Sequence, residues 1–185
     1  MTHFKTLLAL AMLVPLAANA GTWHADAKGS TLTFSGVTQD EAFTGKFKTF
    51  DATIAFDPAQ LAASRFDVKI TLASADTANA ERDDALHGKD FFDAAHSPVA
   101  TYTATKFRSL GGNRYAADGT LALRGVSKPV TLTFAWAAGA TPALVGDAAV
   151  NRLDFNVGAG QWADTSQITN AVKVHTALKL VAAGK

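Results

Sequence analysis

Cysteine is absent from all 185 residues. That excludes disulfides, thiolate metal sites and covalent attachment of a c-type haem, and leaves packing and hydrogen bonding to hold the fold. An excess charge of one sign is lacking too: seventeen basic residues face sixteen acidic ones, a formal net charge of +1. Lys5 is the one basic residue among the first twenty, which hold no acid, so the chain after them carries sixteen of each. Such a balance gives no basic face for nucleic acid or an anionic membrane. Internal repeats, linkers and low-complexity segments are missing. So are a Gly-x-Ser-x-Gly elbow, a His-Glu-x-x-His helix and a phosphate-cradling glycine loop. Long apolar runs are also missing, because Thr6 to Leu16 spans roughly ten residues, against about twenty for a membrane helix.

What the first twenty residues do contain is a leader pattern. Lys5 supplies the positive start, the apolar stretch follows, and Ala18-Asn19-Ala20 gives the small-x-small site that signal peptidases cut. The expectation is a signal peptide over 1–20 and one exported domain over 21–185, addressed to the periplasm.

Period-two alternation dominates that domain, as in strands with one dry face and one wet face. Leu32 and Phe34 alternate with Thr31, Thr33 and Ser35; Phe66, Val68, Ile70 and Leu72 with Arg65, Asp67, Lys69 and Thr71. Val130, Leu132, Phe134 and Trp136 alternate with Thr131 and Thr133, and Val172, Val174, Leu178 and Leu180 oppose Lys173, His175 and Lys179. Between Phe43 and Phe56 the aromatic parity changes from odd (Phe43, Phe47) to even (Phe50, Ile54, Phe56). A parity change predicts a bulge or sharp bend near Lys48-Thr49, the device by which a sheet curls closed. Turn signals at Gly111-Gly112-Asn113, Gly125 and Gly139–Pro142 are closely spaced and favour a meander or an antiparallel up-and-down barrel over a sandwich, with about eight or nine strands; the barrel of about eight is the expectation. Pro58–Ala63 suits a helical turn. Thr77–His87, capped by Asn79 or Thr77 and stopped at Gly88, predicts one short helix, with Phe91 and Phe92 directly after it at a barrel mouth.

Asn79-Ala80-Glu81-Arg82-Asp83, Asp90-Phe91-Phe92-Asp93, Ser97-Pro98 and the hairpin run Gly119 to Leu132, with its Leu123-Arg124-Gly125-Val126-Ser127-Lys128-Pro129 centre, resemble the YceI-like family of polyisoprenoid-binding proteins. Gly45-Lys46-Phe47, Phe50-Asp51 and Phe56-Asp57 match that family's bent third strand. Departures are Ser97, where the family often has an aromatic residue, and Gln39-Asp40-Glu41, where many members have His-Leu-Gly. The resemblance implies a lipocalin-like barrel in the bacterial periplasm that holds a long isoprenoid or related lipid, such as a quinone or a polyprenyl phosphate, without a cofactor. The Gly158–Ser166 stretch around Trp162 is most similar to members associated with cytochrome b561, which implies contact with a membrane cytochrome.

Periodicity alone leaves open whether the inner side chains meet or leave a slot, since an eight-stranded barrel is just wide enough for either. Small residues at Gly36, Ala52, Ala117, Gly119 and Ala149 favour missing volume, and the resemblance favours a slot. The expected wall is Leu32, Phe34, Phe47, Phe50 and Ile54 from the first half, then Val68, Ile70 and Leu72. Leu121, Leu132, Phe134, Phe155, Val172 and Val174 complete it, with Phe91 and Phe92 at the mouth. Arg82, His87 or Lys89 could meet a head group. The rival readings are an isoprenoid-processing enzyme using Asp83, Asp84, His87, Asp90, Asp93 or His96, and a redox partner docking through Trp162. No metal site is expected, because those acids and histidines match no ligand spacing.

Overall fold

A computed structural model describes residues 21–183; the expected leader and its cleavage site lie outside these residues. The strands are β1 (Thr22–Ala25), β2 (Thr31–Thr38), β3 (Glu41–Phe47), β4 (Phe50–Ala55), β5 (Arg65–Thr71) and β6 (Ala75–Asp76). After helix α1 (Ala80–His87) come β7 (Val99–Gly111), β8 (Arg114–Leu123), β9 (Val126–Ala137), β10 (Ala143–Asn151) and β11 (Ala171–Ala182). Every pairing is antiparallel, and β1 closes the sheet by pairing with β4 on one side and β11 on the other. β1 with β2, β3 with β4, and β5 with β6 each run as one bent barrel strand. The result is a closed eight-stranded up-and-down barrel with one helix: the antiparallel barrel expected from the alternation and turns, and the lipocalin-like fold that the resemblance implies.

The parity change has its predicted cause. β3 ends at Phe47 and β4 begins at Phe50, with the bend at Lys48-Thr49. Opposite it, Leu72–Ser74 forms a 3-10 turn that breaks β5 from β6. The two irregularities satisfy each other: Lys48 N–H donates to the Ser74 carbonyl at 3.0 Å, and Thr49 N–H to the Ser74 hydroxyl at 3.0 Å. Phe43 and Phe47 on one side of the bend, and Phe50 and Ile54 on the other, all reach the interior. Pro58–Ala63 narrows to a 3-10 turn at Leu61–Ala63. Helix α1 starts at Ala80, later than Thr77, because Asn79 is its cap: the Asn79 side chain accepts from Arg82 N–H at 2.9 Å.

One half of the barrel is solid. The Phe56 ring sits 5.0–6.0 Å, centroid to centroid, from Phe66, Phe107, Tyr115, Phe134 and Trp136. Two glycines in the wall are occupied from within. A Cβ at Gly45 would fall 2.4 Å from the Phe34 ring, and one at Gly119 would fall 2.5 Å from the Tyr102 ring. So Gly119, expected to leave volume, is where Tyr102 lies. Gly119→Ala should lower stability by about 1–3 kcal/mol through overpacking; the check is a fall in the urea midpoint at unchanged slope, and an unchanged midpoint would contradict the packing. Ala149 departs from expectation in another way. It pairs with Lys173 and faces outward, while Leu144, Gly146, Ala148 and Val150 hold the inward parity of β10.

Candidate functional site

The other half of the barrel is hollow. Where the ring cluster stops, a partly open cavity of about 210 Å³ continues toward the α1 end. Strand alternation supplies its wall: Leu32 and Phe34 from β2, Phe47 from β3, Phe50, Ala52 and Ile54 from β4, and Val68 and Ile70 from β5. Leu121 from β8, Leu132 from β9, and Val172 and Val174 from β11 close the ring, and Leu72 joins from the 3-10 turn. Leu86 of α1 and Phe91 and Phe92 of the turn after it roof the mouth. Phe92 packs on the rings of Phe34 and Phe47, at 6.4 and 5.9 Å.

Phe134 and Phe155 are the two expected wall residues that the structure places elsewhere. Each is 1% exposed. Phe134 belongs to the solid ring cluster, because β9 carries it one turn of the pleat too deep to reach the void. Phe155 lies in a 3-10 turn, Arg152–Phe155, that packs in the roof-side core. Wall residues that the sequence reading missed include Tyr102, Leu144, Ala148, Val150, Val157 and Ile168. Ala100-Tyr102-Ala104 does alternate with threonines and was legible; the Ala- and Gly-rich β10 gives almost no hydrophobic contrast.

Polar groups on this wall are few and each is satisfied. The Tyr102 hydroxyl reaches the carbonyls of Ala117 at 2.9 Å and Val130 at 3.2 Å. Burial pushes its ionisation well above the ordinary tyrosine range, since phenolate would be desolvated. A raised folded pKa means that this group's contribution to stability is complete below pH ~10, its unfolded value, and is lost as pH rises beyond it. An alkaline titration followed at the phenolate absorbance should therefore show Tyr102 ionising together with unfolding; ionisation in the folded barrel near pH ~10 would contradict the burial.

Among the described residues, Arg152 is the one charge on the wall, 4% exposed, and no described carboxylate pairs with it. Nε donates to the Thr169 carbonyl at 3.1 Å, Nη1 to those of Val157 and Gly158 at 3.0 and 2.6 Å, and Nη2 to those of Trp162 and Ile168 at 2.8 and 2.9 Å. Burial lowers its pKa, but guanidinium stays charged at any accessible pH. One cation thus gathers the long loop between β10 and β11 into the side of the roof.

The acids and histidines of the helical segment do structural work. Asp83 accepts from both Thr77 N–H and Thr77 Oγ1, at 2.8 and 2.7 Å. His87 Nε2 bonds the Ala75 carbonyl at 3.0 Å, tying α1 to β6. His96 and Asp93 form an exposed pair at 2.8 Å, which raises the His96 pKa. Among the described residues, no three of these types converge as a metal site would require. Arg82 stacks over Phe43 at 5.0 Å from the ring centroid. Trp162 lies 5.9 Å from the Phe91 ring and is 38% exposed beside the mouth.

Comparison with known proteins places this geometry. The model of a family described as YceI-like domain matches residues 23–180. A UPF0312 protein of Vibrio vulnificus is 33% identical over 162 residues, 82% of this chain and 86% of that one. The crystal structure of Burkholderia cenocepacia BcnA is 34% identical, with a TM-score of 0.80 over 86% of this chain and 99% of its own. A polyisoprenoid binding domain from Saccharophagus degradans shares the fold at 18% identity, with a TM-score of 0.68 over 89% of this chain and 99% of its own.

Proposed function

The chain belongs to the YceI-like domain family, and from that footing we propose that it binds an isoprenoid-like or other long-chain lipid in the periplasm and carries or sequesters it without chemical turnover. The observation that carries this reading is the apolar, partly open slot in the half of the barrel that the ring cluster leaves unfilled. Its chemistry suits a hydrocarbon tail: each buried methylene contributes about 0.8 kcal/mol before ordering costs, so affinity needs no polar contact. Reaction chemistry has no comparable support, since Asp83 and His87 are spent on holding Thr77 and the Ala75 carbonyl, and the candidate acids and histidines do not converge on one point among the described residues.

Size sharpens the proposal. The cavity of about 210 Å³ exceeds the ~150 Å³ apolar hole that takes up benzene, yet falls below the ~300–1,000 Å³ of ordinary ligand pockets. A quinone or polyprenyl phosphate tail of several isoprene units therefore enters only if roof or wall gives way, and its head stays outside. Organic extraction of protein purified from its natural host, followed by mass spectrometry, should recover a stoichiometric isoprenoid lipid. Recovery of none, with failure of the protein to take up any isoprenoid, would sink the reading.

A second reading adds a membrane partner. It rests on Trp162, which leans on the Phe91 ring and is exposed to solvent beside the mouth. Co-purification with a b-type cytochrome that is lost in Trp162→Ala is its expected signature; co-purification that persists in that variant, or none with the unaltered protein, would remove it.

A further inference from the structure

The barrel ladder is incomplete along one line. β9 and β10 pair from Ala137 with Ala143 to Thr133 with Asp147, and there the pairing stops. Neither strand ends at that point. β9 continues back to Val126 against β8, and β10 continues to Asn151 against β11. Between Val126–Leu132 and Ala148–Asn151 the wall is therefore split from its middle to the mouth. Cavity-lining residues stand on both lips, Val130 and Leu132 on one, Ala148 and Val150 on the other. On the outside, Ala148 also lines a surface groove shared with Thr131, Thr133 and Val145. The β9 lip carries Lys128 and Pro129, two residues that keep a free strand edge from acquiring another strand.

One short piece of chain fills the split. The 3-10 turn Arg152–Phe155 packs against β9, and buried Phe155 and Val157 share a core with Val126, Val130 and Val150. Asn156 and Gly158 bound its outer end in left-handed conformation, at φ 58° and 62°. Arg124, in the two-residue turn between β8 and β9, fastens it. Its guanidinium donates to the Asn156 carbonyl on this turn, and to the carbonyls of Lys89 (2.8 Å) and Asp90 (3.3 Å) in the roof. Arg124 itself sits at φ 51°, where a branched or long side chain is unfavourable. A strained residue whose side chain ties two separate flaps together marks a latch.

We propose that the split between β9 and β10 is a lateral portal: the turn Leu153–Gly158 moves aside as a panel latched by Arg124, and the lipid tail slides between the two strands into the cavity. No strand-to-strand hydrogen bond has to break along this route; what gives way are the panel's own ties, from Arg124 to the Asn156 carbonyl, from Arg152 Nη1 to the Val157 and Gly158 carbonyls, and from Gly158 N–H to the Asp90 carbonyl. Threading end-on would instead have to dislodge Phe92 from the rings of Phe34 and Phe47. The inference rests on the lipid-binding reading and adds the path of entry.

The test uses the absence of native cysteine. Thr131 and Ala149 face outward and would oppose each other two rungs beyond the last pair. In a Thr131→Cys/Ala149→Cys variant, a short bis-maleimide spans the split. A second variant, Arg82→Cys/Phe43→Cys, places the same cross-link over the mouth on the side away from the panel, where Arg82 of α1 lies 5.0 Å from the Phe43 ring centroid. The probe is a dansylated polyprenol in phosphatidylcholine vesicles, with transfer rate and final occupancy read separately. The seam cross-link should slow transfer by about tenfold or more at unchanged final occupancy, the mouth cross-link should leave the rate near that of the uncross-linked protein, and Arg124→Ala should speed it. An unaffected rate with the seam closed, or equal slowing by both cross-links, would overturn the portal. No occupancy in the uncross-linked protein would overturn the lipid-binding reading itself, and the portal with it.

Discussion

Val174→Trp should abolish lipid retention while leaving the barrel folded. Val174 lies on β11 opposite Phe34 of β2 and Ala148 of β10, in the middle of the hollow half. An indole there fills the slot with the protein's own atoms. If it displaces about four methylene-sized groups of a tail, at about 0.8 kcal/mol each, binding weakens by about 3 kcal/mol, roughly a hundredfold. In a tightly packed core such an enlargement costs about 1–3 kcal/mol; here the void absorbs much of it, so the melting temperature should hold or rise slightly. The paired measurement is lipid per protein by mass spectrometry and the thermal midpoint. Retention of lipid at the unaltered level by a folded Val174→Trp would mean that the tail does not occupy this cavity.

Arg152→Met should be the most damaging single change for stability. The substitution keeps most of the volume but leaves the carbonyls of Thr169, Val157, Gly158, Trp162 and Ile168 without their donor. Each buried carbonyl left unsatisfied costs about 1–3 kcal/mol, and with some of them relaxing toward water the loss should come to about 3–5 kcal/mol, a large part of the ~5–15 kcal/mol that a domain has. For a chain of this size the midpoint should fall by about 10 °C. Arg152→Lys should rescue little, because an ammonium offers three donors from one point where the guanidinium offers five in a fixed fork. Urea denaturation of the three proteins is the check, and a loss below about 1 kcal/mol in Arg152→Met would show that the loop holds together without the cation.

The fold was legible because alternation is a local signal that survives in single strands. Phe66-Val68-Ile70 and Val130-Leu132-Phe134 each state their own inner face, and the parity slip between Phe47 and Phe50 located the bend. How deep each inward residue sits was not legible. Phe134 and Leu132 share a face, but only the tertiary stagger of β9 puts Phe134 into the solid ring cluster and Leu132 on the void. Small residues misled for a related reason. Gly119 reads as empty space until Tyr102 is known to lie over it, and Ala149 gives no contrast with Ala148 from which to choose a face. Arg152 had no signal at all. A lone charge reads as surface, and its five acceptors are backbone carbonyls, which every residue possesses. The lateral split was equally silent, although Lys128-Pro129 in a strand otherwise fit for a sheet interior was a local sign that one edge goes unpaired.

The ring cluster around Phe56 makes the barrel a blind tube. A guest cannot pass through it and must leave the way it came, so its orientation is fixed from the moment of capture. On the proposed lipid-carrier reading, the oily end would go to the bottom and the chemically distinctive end would be displayed at the rim throughout the journey. An acceptor would then inspect the cargo before any of it is released, and delivery would become a choice made by the recipient at the doorway.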